Sequence, residues 1–470
     1  MRIAATLWLA AAFLTVSLGG GELKLVFTSD LHGHSRNYAA LAPAIRAEAG
    51  KNCVVLDLGD TVSGIFSSEF AENGSGMAEA LNFCGTELWI PGNHDFDLPD
   101  DSFRDFLRRF KGRALGADWH KAGISGEPFA ILERNGVRCA VIGLTDPKMQ
   151  RRVLPGERMA FEPPREVLKR LMPRIREAGV QVVVLAWHNG VHSVVGHLGT
   201  FLREFPGIDV VLGAHSHQEI PGQRIGNAYF VQAGAHGHAA GVVEIVTDDH
   251  SGRIVNVTSR LIRGDARHPS PELMALSRRL ENGSMGHWKK VLAAPSRKLR
   301  APRPGEYGSV FGRLCAEAVR RAAGTDAGLV WLYCRDDRAD RRAFTYGALY
   351  RIMPYRNELC ALDVTREELA EFIAEQETLT RKRKWDRLLF VSGVGLSRPA
   401  NGGPPHLADC PSRLSVAVNR FLIADSRILR PLACLPERRF RRIGKTERDV
   451  VAGYLEASGH KTDKIIHSNH

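Results

Sequence analysis

The sequence lacks the paired cysteines of a small zinc-binding module. Its eight cysteines show neither Cys-x-x-Cys nor Cys-x-x-His spacing, so a zinc site built on cysteine is not expected. The chain also has no internal repeat. With 44% hydrophobic and 25% charged residues it has the composition of a globular protein, which excludes disorder as the default. A length of 470 residues is too great for one ordinary core and favours two domains of unequal size.

Acidic residues are the minority charge, with 52 Asp and Glu against 64 Lys and Arg and a net charge of +12. This excess fits an anionic substrate, a nucleic acid or an acidic surface equally well. The basic runs at residues 381–384 and 438–442 contain no regularly interleaved aromatics and no recognisable nucleic-acid motif. We therefore expect a solvated basic surface, and no nucleic-acid polymer as a partner.

The N-terminal segment has the composition of a secretion signal. Arg2 precedes an uncharged apolar stretch at residues 3–18, and Ser17 and residues 19–21 are small. We predict a signal peptide at residues 1–21, and hence a periplasmic or secreted protein without a stable membrane span. A retained anchor of marginal length is the alternative, although the run is at the short end for a spanning helix. No Cys follows the run to carry a lipid anchor.

Export would place the cysteines where disulfides can form, but their pairing does not follow from the sequence. Cys53, Cys84 and Cys139 lie in apolar stretches. Buried thiols are the alternative for these three.

Residues 22–265 alternate short β-branched apolar runs with amphipathic helical stretches. This rhythm indicates layered α/β packing rather than an all-β sandwich. Each run ends in a glycine-rich or polar turn, where α/β folds place their sites. The predicted strands are residues 23–27, 53–58, 88–90, 139–144, 180–186 and 210–212.

The middle of the chain has helical periodicity from residue 269 to residue 298, followed by a proline-rich break at residues 301–305. We therefore predict a linker helix within residues 266–304. It would connect a first domain at residues 22–265 to a smaller second domain at residues 305–470.

Five of the predicted strand ends carry residues that can bind a metal. Any one of these residues alone is more often a hydrogen-bonded surface or core residue. Their recurrence at successive strand ends makes a common site the better interpretation. The potential ligands are Asp30, His32, Asp60, Asn93, His188, His215 and His217.

The types and spacing of these residues indicate a site for more than one cation. Asp30 and His32 project to the same side of the chain and can bind one cation together, and His215 and His217 repeat this spacing. Asp60 places a carboxylate on a tight turn, and its two oxygens can bridge two cations. Mixed nitrogen and oxygen ligands favour Zn, Mn, Fe or Co over Ca or Mg.

In this order, the motifs DLHGH, GDT, GNHDFD, WHNG and GAHSH resemble those of the calcineurin-like metallophosphoesterases. Residues 23–245 are similar to the branch that contains 5′-nucleotidases and 2′,3′-cyclic phosphodiesterases, as the phrases FTSDLHGHSRN and VQAGAHGHAAGVVEI show. The resemblance implies an α/β (α+β) fold, with a four-layer αββα sandwich followed by a smaller mixed α/β nucleotidase-type domain. It also implies two divalent metal ions and hydrolysis of phosphoric esters.

Transferred by motif position, the resemblance implies two metal sites that share Asp60. The first cation would be held by Asp30, His32, Asp60 and His217. The second would be held by Asp60, Asn93, His188 and His215. His94 would contact the scissile phosphate and be oriented by Asp97, as in the family's His–Asp pair, and His34 would lie behind the ligands.

The second domain resembles the nucleotidase C-terminal domain in its framework but not in its substrate-reading motifs. Where a Gly-Gly-x-Arg segment is expected, the chain has no glycine pair and offers Arg335 and Arg338, either as a phosphate clamp or as exposed loop arginines. Phe390 and Phe421 are candidates for stacking on a base, with an apolar core role as the alternative. The Gly-Gly-Asp-Gly-Tyr segment is also missing, which leaves nucleotide specificity open.

We therefore expect an exported hydrolase of small anionic phosphomonoesters, with nucleotides as the first candidates. Hydrolysis of a cyclic nucleotide or of a sulfur ester at the same centre is the alternative reaction. A protein that only captures an anion is the alternative of another class. His94 argues against it, because a binding protein has no need of a general acid.

Overall fold

A computed structural model describes most of the chain, and the predicted signal peptide lies outside the described part except for Gly21. The described residues are 21–62, 70–190, 198–294, 299–334, 343–383, 387–397, 405–436 and 439–458. Among the helices in these ranges, none is both long enough and apolar enough to cross a membrane.

The first half of the chain forms two six-stranded sheets. The strand Cys53–Asp57 in one sheet and the strand Val182–Trp187 in the other are buried along their whole length, as expected for central strands covered on both faces. In spatial order, the first sheet contains Ile254–Arg263, Ala239–Thr247, Glu22–Thr28, Cys53–Asp57, Leu88–Trp89 and Arg113–Ala114. The second contains Glu219–Ile225, Ala228–Ala233, Val210–Gly213, Val182–Trp187, Val137–Leu144 and Phe129–Arg134.

These two sheets form the inner layers of a four-layer sandwich. Leu25 and Phe27 of the first sheet share one apolar core with Val141 and Val184 of the second. Helices cover the outer face of each sheet, so the predicted αββα architecture is confirmed. The helices of this half are Ser35–Glu48, Ala71–Gly74, Gly76–Phe83, Asp95–Asp97, Asp100–Arg109, Met149–Arg152, Pro164–Glu177 and Leu198–Glu204, and a small sheet contains Ile124–Ser125, Trp119–Lys121 and Met159–Phe161.

The second half contains a smaller mixed sheet with its own apolar cores, as predicted. In spatial order its strands are Arg387–Ser392, Ala327–Tyr333, Arg413–Asn419, Glu358–Thr365 and Arg441–Thr446. Its helices are Val310–Ala323, Tyr346–Ile352, Arg366–Arg383, Arg420–Asp425, Leu429–Ala433 and Glu447–Ser458. Two short pairs complete it, Val291–Ala293 with Phe344–Thr345 and Gly395–Ser397 with His406–Ala408.

The helix Pro271–Lys289 lies in the segment predicted to connect the halves. Ser270 caps it by accepting a hydrogen bond from the backbone N–H of Leu273. Leu273, Leu276 and Leu280 are buried in the core that also contains the helix Ser35–Glu48. The helix is therefore packed onto the first half along much of its length, while the domain limits at residues 265 and 304 stay a prediction.

Candidate active site

The predicted metal ligands follow the carboxyl ends of neighbouring strands in both sheets. Asp30 follows Glu22–Thr28, Asp60 follows Cys53–Asp57, and Asn93 follows Leu88–Trp89. His188 follows Val182–Trp187 and His215 follows Val210–Gly213. Because these strands are parallel within each sheet, their ends meet at one edge of the sandwich.

Six of the seven predicted ligands form two adjoining groups. Asp30, His32 and His217 make one group, and Asp60, His188 and His215 make the other, with the ligand atoms in each group within 4.8 Å of one another. In the first, His217 Nε2 is 3.4 Å from Asp30 Oδ1 and 3.1 Å from His32 Nε2. In the second, His188 Nε2 is 3.3 Å from Asp60 Oδ2, and the same oxygen is 3.8 Å from His32 Nε2. Asp60 therefore lies between the two groups.

Atoms at the site lack the partners that buried polar atoms normally have. Within the described ranges, Asn93 Oδ1 and His188 Nε2 are buried without a hydrogen-bond partner. A lone pair in this position is costly unless something binds it, and a cation would satisfy both atoms. Burial, together with His188, lowers the pKa of His215 to about 4, whereas the carboxylates of Asp60 and Asp30 outweigh burial and raise the pKa of His188 to about 10. The residues present therefore fit divalent cations.

The backbone at the site adopts an uncommon conformation. Asp30, His32, Asp60, His215 and His217 all have positive φ angles, between 45° and 69°. For residues other than glycine this region costs on the order of 1–3 kcal/mol each, and it persists only where the surroundings impose it. Five strained ligands in one place indicate that the loops are shaped for a function.

Two glycines allow the loops to pack tightly behind the ligands. Gly59 has a φ of +83°, and a Cβ at this position would lie 2.0 Å from the backbone nitrogen of Gly92. A Cβ on Gly92 would lie 2.3 Å from Asp60 Oδ1. Only glycine fits at both positions, so the Asp60 turn and the Asn93 turn can touch.

Asp95 fixes both of these turns, a role that the sequence analysis did not identify. Its fully buried carboxylate accepts hydrogen bonds from the backbone N–H groups of Gly92, Asp60 and Thr61, at 2.8, 2.7 and 3.0 Å. Burial, with the neighbouring Asp60 carboxylate, raises the pKa of Asp95 to about 7. The sequence feature that could have indicated this role is an acidic residue inside the GNHDFD motif for which no function had been predicted.

Asp57 supports the same turns from the strand below. Its carboxylate accepts hydrogen bonds from the hydroxyls of Thr28 and Thr61, both at 2.7 Å, and from the backbone N–H of Gly59 at 3.1 Å. An acid at the end of an otherwise apolar strand could have been recognised as a structural acceptor.

His94 faces the opening of the site. Its Nδ1 is 2.7 Å from Asp97 Oδ2, and its backbone N–H donates to Asp60 Oδ1 at 2.7 Å. Burial opposes a charge on His94, but the carboxylates of Asp60 and Asp97 outweigh it and raise its pKa to about 9. The ring of Tyr355, from the second half, stacks on it at 5.9 Å with an angle of 11° between the planes.

A cleft of about 360 Å³ extends from His94 between the two halves of the chain. Its lining combines aromatic, arginine and amide side chains with the edge of the metal-binding groups. The lining residues are Asn93, His94, Asp97, Met149, Arg152, His215, Trp331, Tyr333, Met353, Pro354, Tyr355, Asn357, Arg387, Asn419, Arg420, Phe421 and Glu447.

Of the four predicted substrate-binding residues, the structure describes two. Arg335 and Arg338 lie outside the described residues. Phe390 takes the core role given as its alternative and not the stacking role, because this ring is 2% exposed and a Cβ on Gly312 would lie 2.3 Å from it. Phe421 does line the cleft, and the guanidinium of Arg152 lies 5.4 Å from its ring centre. Tyr355, which the sequence analysis missed, lines the cleft and stacks on His94.

His34 and the three N-terminal cysteines are all described by the structure. His34 Nδ1 is 3.0 Å from the backbone oxygen of Leu31, and its ring centre lies 4.3 Å from that of His236 with the planes tilted by 36°. Cys53, Cys84 and Cys139 are buried thiols without disulfide bonds.

Comparison with known proteins supports this fold. The calcineurin-like phosphoesterase family matches residues 23–219, and the 5′-nucleotidase C-terminal domain matches residues 285–404. An endonuclease of Bacillus subtilis, YhcR, is 24% identical over 390 residues, which cover 76% of this chain and 32% of that protein. A 2′,3′-cyclic-nucleotide 2′-phosphodiesterase/3′-nucleotidase of Salmonella typhimurium is 22% identical over 309 residues, which cover 54% of this chain and 47% of that protein. The chain thus spans less than half the length of both relatives.

Among solved structures, a 5′-nucleotidase precursor from Thermus thermophilus has the same fold. It superposes with a TM-score of 0.64 at 21% identity, over 93% of this chain and 96% of that one. The likeness shows the fold of this chain, a four-layer sandwich followed by a smaller domain. The match to the calcineurin-like phosphoesterase family in the first half and to the 5′-nucleotidase C-terminal domain in the second fits the calcineurin-like 5′-nucleotidase branch.

Replacing Asp95 by Asn should loosen both ligand turns. One carboxylate oxygen would become an amide donor that faces backbone donors, so we expect a loss of about 1–3 kcal/mol in the free energy of unfolding. We also expect weaker retention of divalent metal. Denaturant titration and metal analysis after dialysis measure the two effects. Asp249→Asn, at an exposed turn, is the control. Equal stability and metal content in Asp95→Asn and the control would contradict the role given to Asp95.

Proposed function

We propose that the protein is a dinuclear-metal phosphoesterase that hydrolyses small phosphomonoesters, with nucleotides as the preferred class. The observation that carries this proposal is the pair of adjoining carboxylate–histidine groups with Asp60 between them and His94 at the opening. Asp30, His32, Asp60 and His217 would hold one cation. Asp60, Asn93, His188 and His215 would hold the other.

Two divalent cations held there would lower the pKa of a water molecule and neutralise charge on the phosphoryl oxygens. Asp60 would serve both sites, because its Oδ2 lies 3.3 Å from His188 Nε2 of one group and 3.8 Å from His32 Nε2 of the other. Asn93 contributes a neutral oxygen, which keeps negative charge low where an anionic substrate must approach. Two divalent cations held by these seven side chains would outweigh the charge of the two carboxylates and attract a phosphate.

His94 acts on the leaving group. Its Nδ1 contacts Asp97, so its Nε2 is directed toward the opening of the cleft and can donate a proton to the leaving oxygen. The Asp97 carboxylate contributes to the raised pKa of His94 and so favours the protonated imidazole that can donate. Asp97 holds the ring in orientation and stabilises its positive charge.

The cleft beyond His94 suits a planar, hydroxylated leaving group such as a nucleoside. Tyr355 continues the stack from His94 and is 6.2 Å from the ring of Tyr333. Asn357 adds an amide group to the same cleft, and the cleft volume of about 360 Å³ falls within the range of small-ligand pockets. Export, which the apolar run at residues 3–18 predicts, would let the enzyme act on substrates outside the cytoplasm.

A panel of phosphoesters with purified, metal-analysed protein tests this function. Phosphate release would be measured from mononucleotides, cyclic nucleotides and sugar phosphates, before and after chelator treatment and again after adding back Zn²⁺, Mn²⁺, Fe²⁺ or Co²⁺. We expect hydrolysis of monoesters that is lost on chelation and restored by a divalent cation. Hydrolysis that is insensitive to complete metal removal, or no hydrolysis of any monoester in the metal-loaded protein, would reject the proposal.

His94→Ala should lower kcat by about 10²–10⁴, because proton donation to the leaving oxygen is lost. The metal content should stay at the wild-type value, since His94 is not among the ligands. Metal analysis and steady-state kinetics on the same sample measure both. His120→Ala, at an exposed position, serves as the matched control. Unchanged turnover in His94→Ala would remove His94 from the mechanism.

Tyr355→Ala should raise KM for a mononucleotide by about tenfold, given the ~1–3 kcal/mol typical of base–aromatic stacking. The KM for a small ester without a ring, such as glycerol phosphate, should change little. Tyr355→Phe keeps the ring and should resemble the wild type. Equal effects of Tyr355→Ala on both substrates would show that the ring does not contact the leaving group.

A further inference from the structure

One more buried acid lies beside the metal-binding groups and is not explained by the family's ligand set. Asp146 comes two residues after the strand Val137–Leu144, and only 1% of it is exposed. Its Oδ1 accepts a hydrogen bond from the backbone N–H of Lys148 at 2.9 Å. Its Oδ2 is buried and has no hydrogen-bond partner within the described ranges. A buried carboxylate oxygen in this state is costly, so a partner is expected.

The loop that carries Asp146 is fixed against two ligand-bearing segments. The hydroxyl of Thr145 donates to the backbone oxygen of Pro91, at the start of the Asn93 turn, over 2.8 Å. The indole N–H of Trp187, the residue before His188, donates to the backbone oxygen of Thr145 over 3.0 Å. Asp146 is therefore held in place beside the second group of ligands and does not sample the solvent.

The unpartnered oxygen of Asp146 faces a predicted ligand. Asp146 Oδ2 is 3.9 Å from His215 Nε2. This separation is about 1 Å longer than a hydrogen bond, a gap that a small rotation of either side chain or one water molecule would close. The backbone N–H of His215 donates to both oxygens of Asp30, at 3.1 and 3.0 Å, so the main chain of His215 is fixed independently of Asp146.

We propose that Asp146 is the positioning residue for His215: its carboxylate accepts the Nε2–H of the imidazole, so that the Nδ1 lone pair is directed to the cation. This inference rests on the metal centre of the proposed function. Histidines that bind metals commonly donate their second ring N–H to a carboxylate, which fixes the tautomer and makes the ligand more basic. Asp146 would also place a further negative charge near the cation held by Asn93, whose own oxygen is neutral.

Cation affinity tests the inference without any measurement of turnover. Apo protein would be titrated with Co²⁺ in competition with a chelator, and visible absorption would follow the coordination of the ion. We expect Asp146→Ala to weaken one of two Co²⁺ sites by about 10–100-fold and to leave the other unchanged. Asp146→Asn keeps an oxygen acceptor and should recover part of the loss.

Asp118 provides the matched control. Its carboxylate accepts the backbone N–H of Thr145 at 3.1 and 3.0 Å, so it supports the same loop without facing His215. Asp118→Asn should therefore keep both affinities close to wild type. If it weakens one site as much as Asp146→Ala, the effect is structural and the inference fails.

Two further results would overturn the inference. Wild-type affinity at both sites in Asp146→Ala would show that His215 needs no such partner. A change in Co²⁺ band intensity in Asp146→Ala, marking a lost ligand, would show that Asp146 binds the cation directly. If the wild-type protein binds no Co²⁺, both the proposed metal centre and this inference fail. If the wild-type protein binds two Co²⁺ ions and only the Asp146 variants behave otherwise than expected, the inference fails and the proposed function stands. Circular dichroism checks that each variant is folded. If Asp146→Ala is not folded, the Co²⁺ affinities of Asp146→Asn test the inference.

Discussion

Negative charge buried at the end of two sheets is the constraint on which the rest of the structure depends. Asp30, Asp57, Asp60 and Asp95 are each at most 2% exposed and lie on adjoining turns. Unbalanced carboxylates in such a place would cost several kcal/mol each. Backbone N–H groups and threonine hydroxyls balance Asp57 and Asp95. Asp30 and Asp60 also accept backbone N–H groups, and in addition they face histidines and the proposed cations.

The hydrogen bonds of these buried acids also hold the ligand loops in their strained backbone conformation. Left-handed residues at five ligand positions would relax in an isolated loop. Here Asp95 ties the Asp60 turn to the Asn93 turn, and the backbone N–H of Asp30 donates to the backbone oxygen of Gly59 at 2.8 Å. The buried acids that bind no cation thus position those proposed to bind one. His94 and Tyr355 lie at the opening of the site, on turns and elements that do not depend on them for their position.

Much of the fold and the ligand set followed from local sequence, because strand periodicity and strand-end motifs involve neighbouring residues. The strands Glu22–Thr28 and Cys53–Asp57 match the predicted runs to within one residue at each end. Contacts that depend on how distant elements pack were not predictable in this way. Motif position left Phe390 with two possible roles, stacking on a base or packing in the core, and only the packing of its strand against Gly312 turns it into the core. Tyr355 and Asp146 approach His94 and His215 only after the halves and sheets assemble.

Anomalous X-ray scattering from crystals of the Mn²⁺-loaded protein tests the central claim most directly, because it locates the cations without reference to any substrate. The account predicts two peaks about 3.5–4 Å apart with the Asp60 carboxylate between them. Asn93, His188 and His215 should surround one peak, and Asp30, His32 and His217 the other. A single peak, or peaks away from these side chains, would contradict it.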